Sequence, residues 1–226
     1  MSIPRLFTVE EWEQIPDPPG GRYELHHGEL AFVGYPVRQH KDLQRKLREL
    51  LDPVATPKGF LVETEYPYRP LPENEVWGAD VACVGRSRHD ATEKWLLGSP
   101  EVVIEVKSPS NTKQDLYDKA MTTLAGEGAG EFWIVDPNTA SVTVYSKTSG
   151  VHIYRSPLNV PLPLLGLTVP CNRCLTPVSC GGLLQSAFLF ICEALTQNRP
   201  PRPALSSSSF IQGVSPELRK MTGTLT

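Results

Sequence analysis

An acid and a base stand two residues apart in the most strand-like segment of the chain. In PEVVIEVKSPS, residues 100–110, apolar Val102, Val103, Ile104 and Val106 surround Glu105, and Lys107 follows. Side chains alternate across a strand, so Val103, Glu105 and Lys107 share one face. At a rise of roughly 3.3 Å per residue, Glu105 and Lys107 stand about 6–7 Å apart on it. Taken alone, the pair reads as an ion pair at the strand's wet end. Two further acids change that reading. Asp80 enters the apolar segment GADVACV, and Glu24 interrupts RYELHHGEL. Carboxylates converging at sheet edges cannot all stay ionised without a cation. Mg²⁺, hard and partly hydrated, is the natural one. A lysine beside it could hold the attacking water and offset charge on a phosphate. Asp on one strand and Glu-x-Lys on its neighbour form a constellation for phosphodiester hydrolysis.

The elements that must position these residues are legible up to about residue 157. TVEEWEQI reads as a short helix, with Thr8 and Glu11 placed for a capping box. RYELHHGELAFVG reads as a hairpin turning at His27 and Gly28. Leu43, Leu47, Leu50 and Leu51 follow helical spacing, which predicts an amphipathic helix ended before Pro53. GFLVETEYPYRP and VWGADVACV read as strands. EVVIEVKSP is near-continuously apolar, as a strand covered on both faces should be. NTKQDLYDKAMTTLAGEG reads as a helix, followed by the strands EFWIVDP, ASVTVYS and GVHIYR. The order predicts an α/β (α+β) fold, a central mixed sheet flanked by helices. Beyond about 160, PLNVPLPLLGLTVP offers one last extended piece, and the proline- and serine-rich remainder has no period. The expected division is a domain over 1–170 and a poorly structured tail over 171–226.

GADVACV, EVVIEVKSPSNTKQDLYDK and GEFWIVDP, preceded by RYELHHGEL, resemble the Uma-two-type restriction endonucleases of the PD-(D/E)XK nuclease superfamily. The resemblance spans roughly residues 6–170. It implies a restriction-endonuclease-like fold and Mg²⁺- or Mn²⁺-dependent hydrolysis of DNA. It implies Asp80 and Glu105 as metal ligands, with the backbone carbonyl of Val106, and Lys107 as the catalytic lysine. Glu24 becomes the auxiliary acid. Where such proteins often have Pro-Asp, this chain has Ala79-Asp80. Relatives that lack the strand lysine are thought to use one on the next helix; this chain has both Lys107 and Lys119. The rival reading is a catalytically inactive module of the same fold that binds nucleic acid or protein.

Other residues carry weaker signals. Lys119 lies four after Asp115, which reads first as a helical ion pair. Gln114 could orient a water or only cap its helix. Arg38, Lys41, Arg45, Lys46 and Arg48 decorate the leucine-striped helix, either as its solvated face or as a phosphate-contacting surface. His40 opens that helix, facing the cleft or merely capping. His26 and His27 sit at a turn and read as structural. Cys171, Cys174, Cys180 and Cys192 fit no zinc module in their later spacings, and Cys83 belongs to a strand core.

Composition frames these readings. Of 226 residues, 40% are hydrophobic and 21% charged, enough for one full core. Net charge is −3, so bulk charge announces no nucleic-acid binder. Residues 1–160 carry 17 Lys and Arg against 23 Asp and Glu; residues 161–226 carry 5 against 2. The opening MSIPRLFTVEEWEQ turns polar at once, and no apolar run reaches the roughly 18 residues of a membrane span. An odd count of five cysteines favours a reducing cytosol, hence a cytoplasmic location without membrane partners. DNA is the expected partner, and a homodimer is left open.

Overall fold

The computed structural model describes residues 5–155 and 157–171. The cysteine-bearing tail, including Cys174, Cys180 and Cys192, lies outside the described residues. A short helix α1 (Val9–Trp12) opens with the expected capping box between Thr8 and Glu11. The hairpin β1 (Gly21–His26) and β2 (Glu29–Gly34) follows. Its two-residue turn holds His27 and Gly28 at φ 53° and 81°, the paired left-handed conformation that matches strand twist. Next come α2 (Arg38–Ala55), β3 (Phe60–Arg69), β4 (Trp77–Gly85), a short α3 (Arg86–Asp90) and a two-residue β5 (Leu96–Leu97). Then follow β6 (Val102–Val106), α4 (Lys113–Ala125), β7 (Glu131–Asp136), β8 (Ser141–Ser146) and β9 (Gly150–Arg155). The strands β10 (Asn159–Leu162) and β11 (Leu167–Pro170) close the described chain.

Seven strands form one mixed sheet in the order β5-β3-β4-β6-β7-β8-β9. β6 runs antiparallel to β4 and parallel to β7, and all five of its residues are buried. One face of the sheet packs against the α2 leucines and the β10–β11 hairpin, through Val81, Cys83, Ile104 and Trp133. The other packs against Leu116 and Ala120 of α4, through Ala82, Val103 and Phe132. Burial on both faces explains why β6 lacks an alternating pattern.

Two sequence expectations are corrected. α2 does not end before Pro53 but runs to Ala55 with Pro53 inside. A proline in the last turn of a long helix removes one bond, to the carbonyl four residues back, and the buried Leu51 and Ala55 hold that turn to the core. Cys171, placed in the tail by its sequence surroundings, is fully buried among the α2-side core residues.

One irregularity matters for function. Val81 and Cys83 face α2, while Ala79 and Trp77 face the α4 side, so the alternation of β4 breaks at Asp80. β3 breaks opposite it: Val62 faces α2, Tyr66 and Tyr68 the other way, and Glu65 between them has φ 52°. A non-glycine residue held left-handed costs of order 1 kcal/mol or more and persists only where its surroundings enforce it.

Candidate active site

The ladder between β4 and β6 runs only from Cys83–Val102 to Val81–Ile104. Past that point a carboxylate takes the place of a backbone partner. The Val106 N–H donates to Asp80 Oδ2 at 2.7 Å. N–H and C=O of one strand residue point to the same side, so the Val106 carbonyl faces the same fork. Asp80 Oδ1 accepts from Gln44 Nε2 at 2.8 Å and lies 2.9 Å from His40 Nε2, both on α2.

Glu105 lines the fork from the α4 side. It is 8% exposed; its Oε1 lies 3.0 Å from Lys119 Nζ and accepts the Asp80 N–H at 3.4 Å. Its Oε2 accepts from no described residue. Lys119 Nζ also donates to the Gly78 carbonyl at 2.9 Å. Gly78 N–H in turn donates to Glu24 Oε1 at 3.0 Å, so one peptide neighbour of Asp80 ties the hairpin acid to the helix lysine. A Cβ on Gly78 would collide with the Arg22 guanidinium, which explains glycine here. Arg22 bridges Glu24 at 3.1 Å and Glu65 at 2.8 Å, and His26 Nε2 lies 2.9 Å from Glu24 Oε2.

The electrostatics follow from this crowding. Burial pushes the Glu24 carboxyl up, but the Lys119 ammonium, His26 and Arg22 outweigh it and hold it at about 2. Glu105 goes the other way: burial drives it up to about 8, Lys119 opposes, and the Asp80 charge adds to the rise. Burial works against the Lys119 charge, yet Glu105, Glu24 and Asp80 raise its hold on the proton. His40 is likewise raised, because Asp80 and Glu105 overcome its burial.

The structure thus brings Asp80, Glu105 and Val106 to one fork, and ties Glu24 to it only indirectly, through the Gly78 N–H. It does not put Lys107 on that carboxylate pair. The parallel register pairs Glu105 with Ile134 and Val106 with Val135, so Lys107 follows opposite Asp136. Its ammonium sits 2.8 Å from Asp136 Oδ2. Nor does Lys119 pair with Asp115: that carboxylate caps α4, bonding the Thr112 N–H at 3.0 Å, and Lys119 turns inward. Gln114 bonds Asp118 on the exposed face of α4. Arg45 and Arg48 are exposed and paired with Asp42 and Glu63; Arg38 lies 3.9 Å from Asp42, and Lys41 is exposed. Arg22, Gln44, Glu65 and Gly78 were not foreseen as site residues. Gly78 directly before Ala79-Asp80 was the one legible hint.

The sequence matches the family Uma2, described as "Putative restriction endonuclease", over residues 9–172. The chain belongs to the Uma2 family. No curated protein matches it. Among solved structures, a nuclease of DUF820 from Anabaena variabilis, titled as putative, is similar at TM-score 0.64 and 19% identity, covering 74% of this chain and 97% of that one. At that identity the likeness is one of fold, restriction-endonuclease-like with its central mixed sheet. Among the described residues of this Uma2 chain, no helix is long and apolar enough to cross a membrane.

Proposed function

We propose that this Uma2 protein is a metal-dependent endonuclease that hydrolyses DNA phosphodiesters at the β4–β6 fork. The observation that carries the reading is the pairing of Asp80 and Glu105 across strands that part, with a buried ammonium, Lys119, on one of them.

The donor set fits a hard cation. Among the described residues no three His, Cys, Asp or Glu side chains form a ready metal cage. Mg²⁺ needs none, since it keeps several waters and takes one or two carboxylates. Glu105 and Asp80 would hold it with the Val106 carbonyl. Glu105 offers an oxygen that no described group uses, and burial, with the Asp80 charge beside it, raises its pKa in spite of Lys119. When bound there, Mg²⁺ or Mn²⁺ supplies an acidified water and charge neutralisation at the phosphoryl oxygens.

The chain's own groups do the rest. Lys119 keeps its proton, so it acts as a fixed charge and donor rather than a base. Charge gathering on the phosphate in a preorganised, partly dry site is stabilised far more than in water. Lys119 takes the role that sequence assigned to Lys107, because its ammonium touches Glu105 whereas that of Lys107 touches Asp136. Glu24 holds the Gly78 N–H and fixes the backbone that carries Asp80. His40 and Gln44 orient the Asp80 carboxylate from α2.

The test is incubation of supercoiled plasmid and of single-stranded DNA with the purified protein, with Mg²⁺, with Mn²⁺ and with chelator, beside Glu105→Gln. Metal-dependent cleavage lost in Glu105→Gln is the expected outcome. No cleavage in either metal returns the reading to an inactive binding module of the same fold.

A further inference from the structure

A cavity of about 500 Å³ opens at the β5 edge of the sheet, lined by Arg69, Arg88, Lys94, Trp95 and Leu97 among others. Its volume falls in the range of small-ligand sites, roughly 300–1,000 Å³. The three cations in its wall differ. Arg88 is fully engaged: it donates to the carbonyls of Ser99, Leu97 and Glu127 and pairs with Glu101 at 3.2 Å. Lys94 pairs with Glu13 at 2.7 Å. The Arg69 backbone carbonyl accepts from the Gly98 N–H at 2.9 Å, but its side chain donates to no described residue, and its Nε is shielded from solvent without a partner. Its guanidinium carbon lies 6.0 Å from the Trp95 ring centroid, and Lys94 Nζ lies 4.3 Å from the same ring.

Buried polar groups are nearly always satisfied, so an unpartnered guanidinium nitrogen on a residue that lines a cavity marks Arg69 as the cation of this wall left for an acceptor from outside. A guanidinium with its donors unpartnered matches phosphate or carboxylate in a two-pronged geometry. The half-buried indole beside it is met edge-on by Trp12 at 5.9 Å and covered by Lys94 at 4.3 Å, so a base stacks on it by displacing the mobile lysine side chain. A second cavity, sharing Thr92, Glu93, Lys94 and Trp95 with the first, extends along the outer edge of β3 to Glu65, the residue opposite Asp80. From Glu65 to Arg69 the strand advances about 13 Å, a few nucleotides at most. The acids Glu63, Glu65 and Glu93 also line these walls, so bulk charge does not attract a strand here and the contact must be a specific one.

We propose that the Arg69–Trp95 cleft is a substrate subsite, which takes one nucleotide of the DNA strand flanking the cleavage point, phosphate on Arg69 and unpaired base on Trp95. This rests on the nuclease reading for its location but not for its measurement. A stacked base must be unpaired, so the subsite favours a single-stranded or frayed flank over a closed duplex.

The experiment is fluorescence anisotropy of a labelled short single-stranded DNA in chelator, where nothing is cleaved, against wild type, Arg69→Gln and Trp95→Leu. The Arg69 side chain makes no internal hydrogen bond, so Arg69→Gln should melt like wild type while binding roughly tenfold more weakly. A closed duplex of the same sequence should lose less. Wild-type affinity in Arg69→Gln, or no binding by wild type, overturns the proposal. Displacement of the strand by deoxyadenosine monophosphate at an equal concentration also overturns it, because the cleft then takes a free nucleotide. Arg69-dependent binding by a protein that cleaves nothing in Mg²⁺ or Mn²⁺ supports the subsite and sinks the nuclease reading instead.

Discussion

Two lysine–carboxylate pairs stand side by side in this sheet, and only one is built like a reaction centre. Lys107 and Asp136 close the C-terminal ends of the parallel strands β6 and β7, 2.8 Å apart. Asp136 already accepts the N–H groups of Asn138 and Thr139, so it organises the turn into β8. Its carboxyl is lowered: burial raises it, and Lys107 and the turn outweigh that. Lys119 and Glu105 lie 3.0 Å apart in the neighbouring gap, each with a side chain under 15% exposed. There burial wins over the single lysine and Glu105 is raised, with Asp80 and Glu24 adding to the rise. The same combination of lysine and carboxylate therefore gives a self-sufficient structural pair in one place and an unbalanced one in the other. What distinguishes them is first the deeper burial of Glu105 and then the further acids, Asp80 and Glu24, that share its cation.

Substitutions that unbalance the pairs should act unequally. The largest contrast is between their acids. If the proposed reading holds, Glu105→Gln should reduce DNA cleavage by about 10³-fold, since it would remove a metal-ligand oxygen and the partner of Lys119. Asp136→Asn, tested in the same plasmid assay, should stay within roughly tenfold of wild type and act mainly on stability. Comparable losses in both would erase the distinction.

Next in size is Glu24, which shares Lys119. Its folded pKa of about 2 lies below its ordinary 4.5, so it stabilises the fold above pH ~4.5 and that contribution is lost as pH falls towards 2. The contribution at neutral pH is on the order of 3 kcal/mol. Glu24→Gln should unfold more easily at pH 7 in a denaturant titration, and the gap to wild type should close between pH 4.5 and 2. A gap that persists at pH 2 would mean that the loss is one of packing.

Gly78→Ala should cost about 1–3 kcal/mol of stability, because the added methyl displaces Arg22 from Glu24 and Glu65. Combined with Arg22→Ala, the penalty should shrink, which a thermal-melt double-mutant cycle reads directly. Smallest of all is the Lys107 side chain itself. Lys107→Ala should lower stability by about 0–1 kcal/mol, as half-exposed ion pairs do.

Much of the scaffold was legible because it rests on local or periodic signals. The capping box at Thr8, the leucine stripe of α2, the His27–Gly28 turn and the apolar run of β6 are all short-range statements, and each stands where the sequence put it. Asp80 and Glu105 were legible for the same reason: an acid inside an apolar strand is conspicuous. The lysine was not. Four-residue spacing tied Lys119 to Asp115, but capping drew Asp115 to Thr112 and left Lys119 free to turn inward across Gly78. Glu105-x-Lys107 predicted a shared face, but Lys107 lies just past the end of β6, and the spacing says nothing of Asp136 arriving from a strand 29 positions later. The break in alternation at Asp80 and Glu65 was equally invisible, because it depends on a backbone conformation and not on composition.

The most direct test of this account is plasmid cleavage in Mn²⁺ by Lys119→Ala and Lys107→Ala, measured side by side with wild type. The account predicts that Lys119→Ala loses at least about a hundredfold in rate while Lys107→Ala stays within roughly tenfold. An inactive Lys107→Ala beside an active Lys119→Ala would contradict it, and would hand the catalytic role back to the strand lysine.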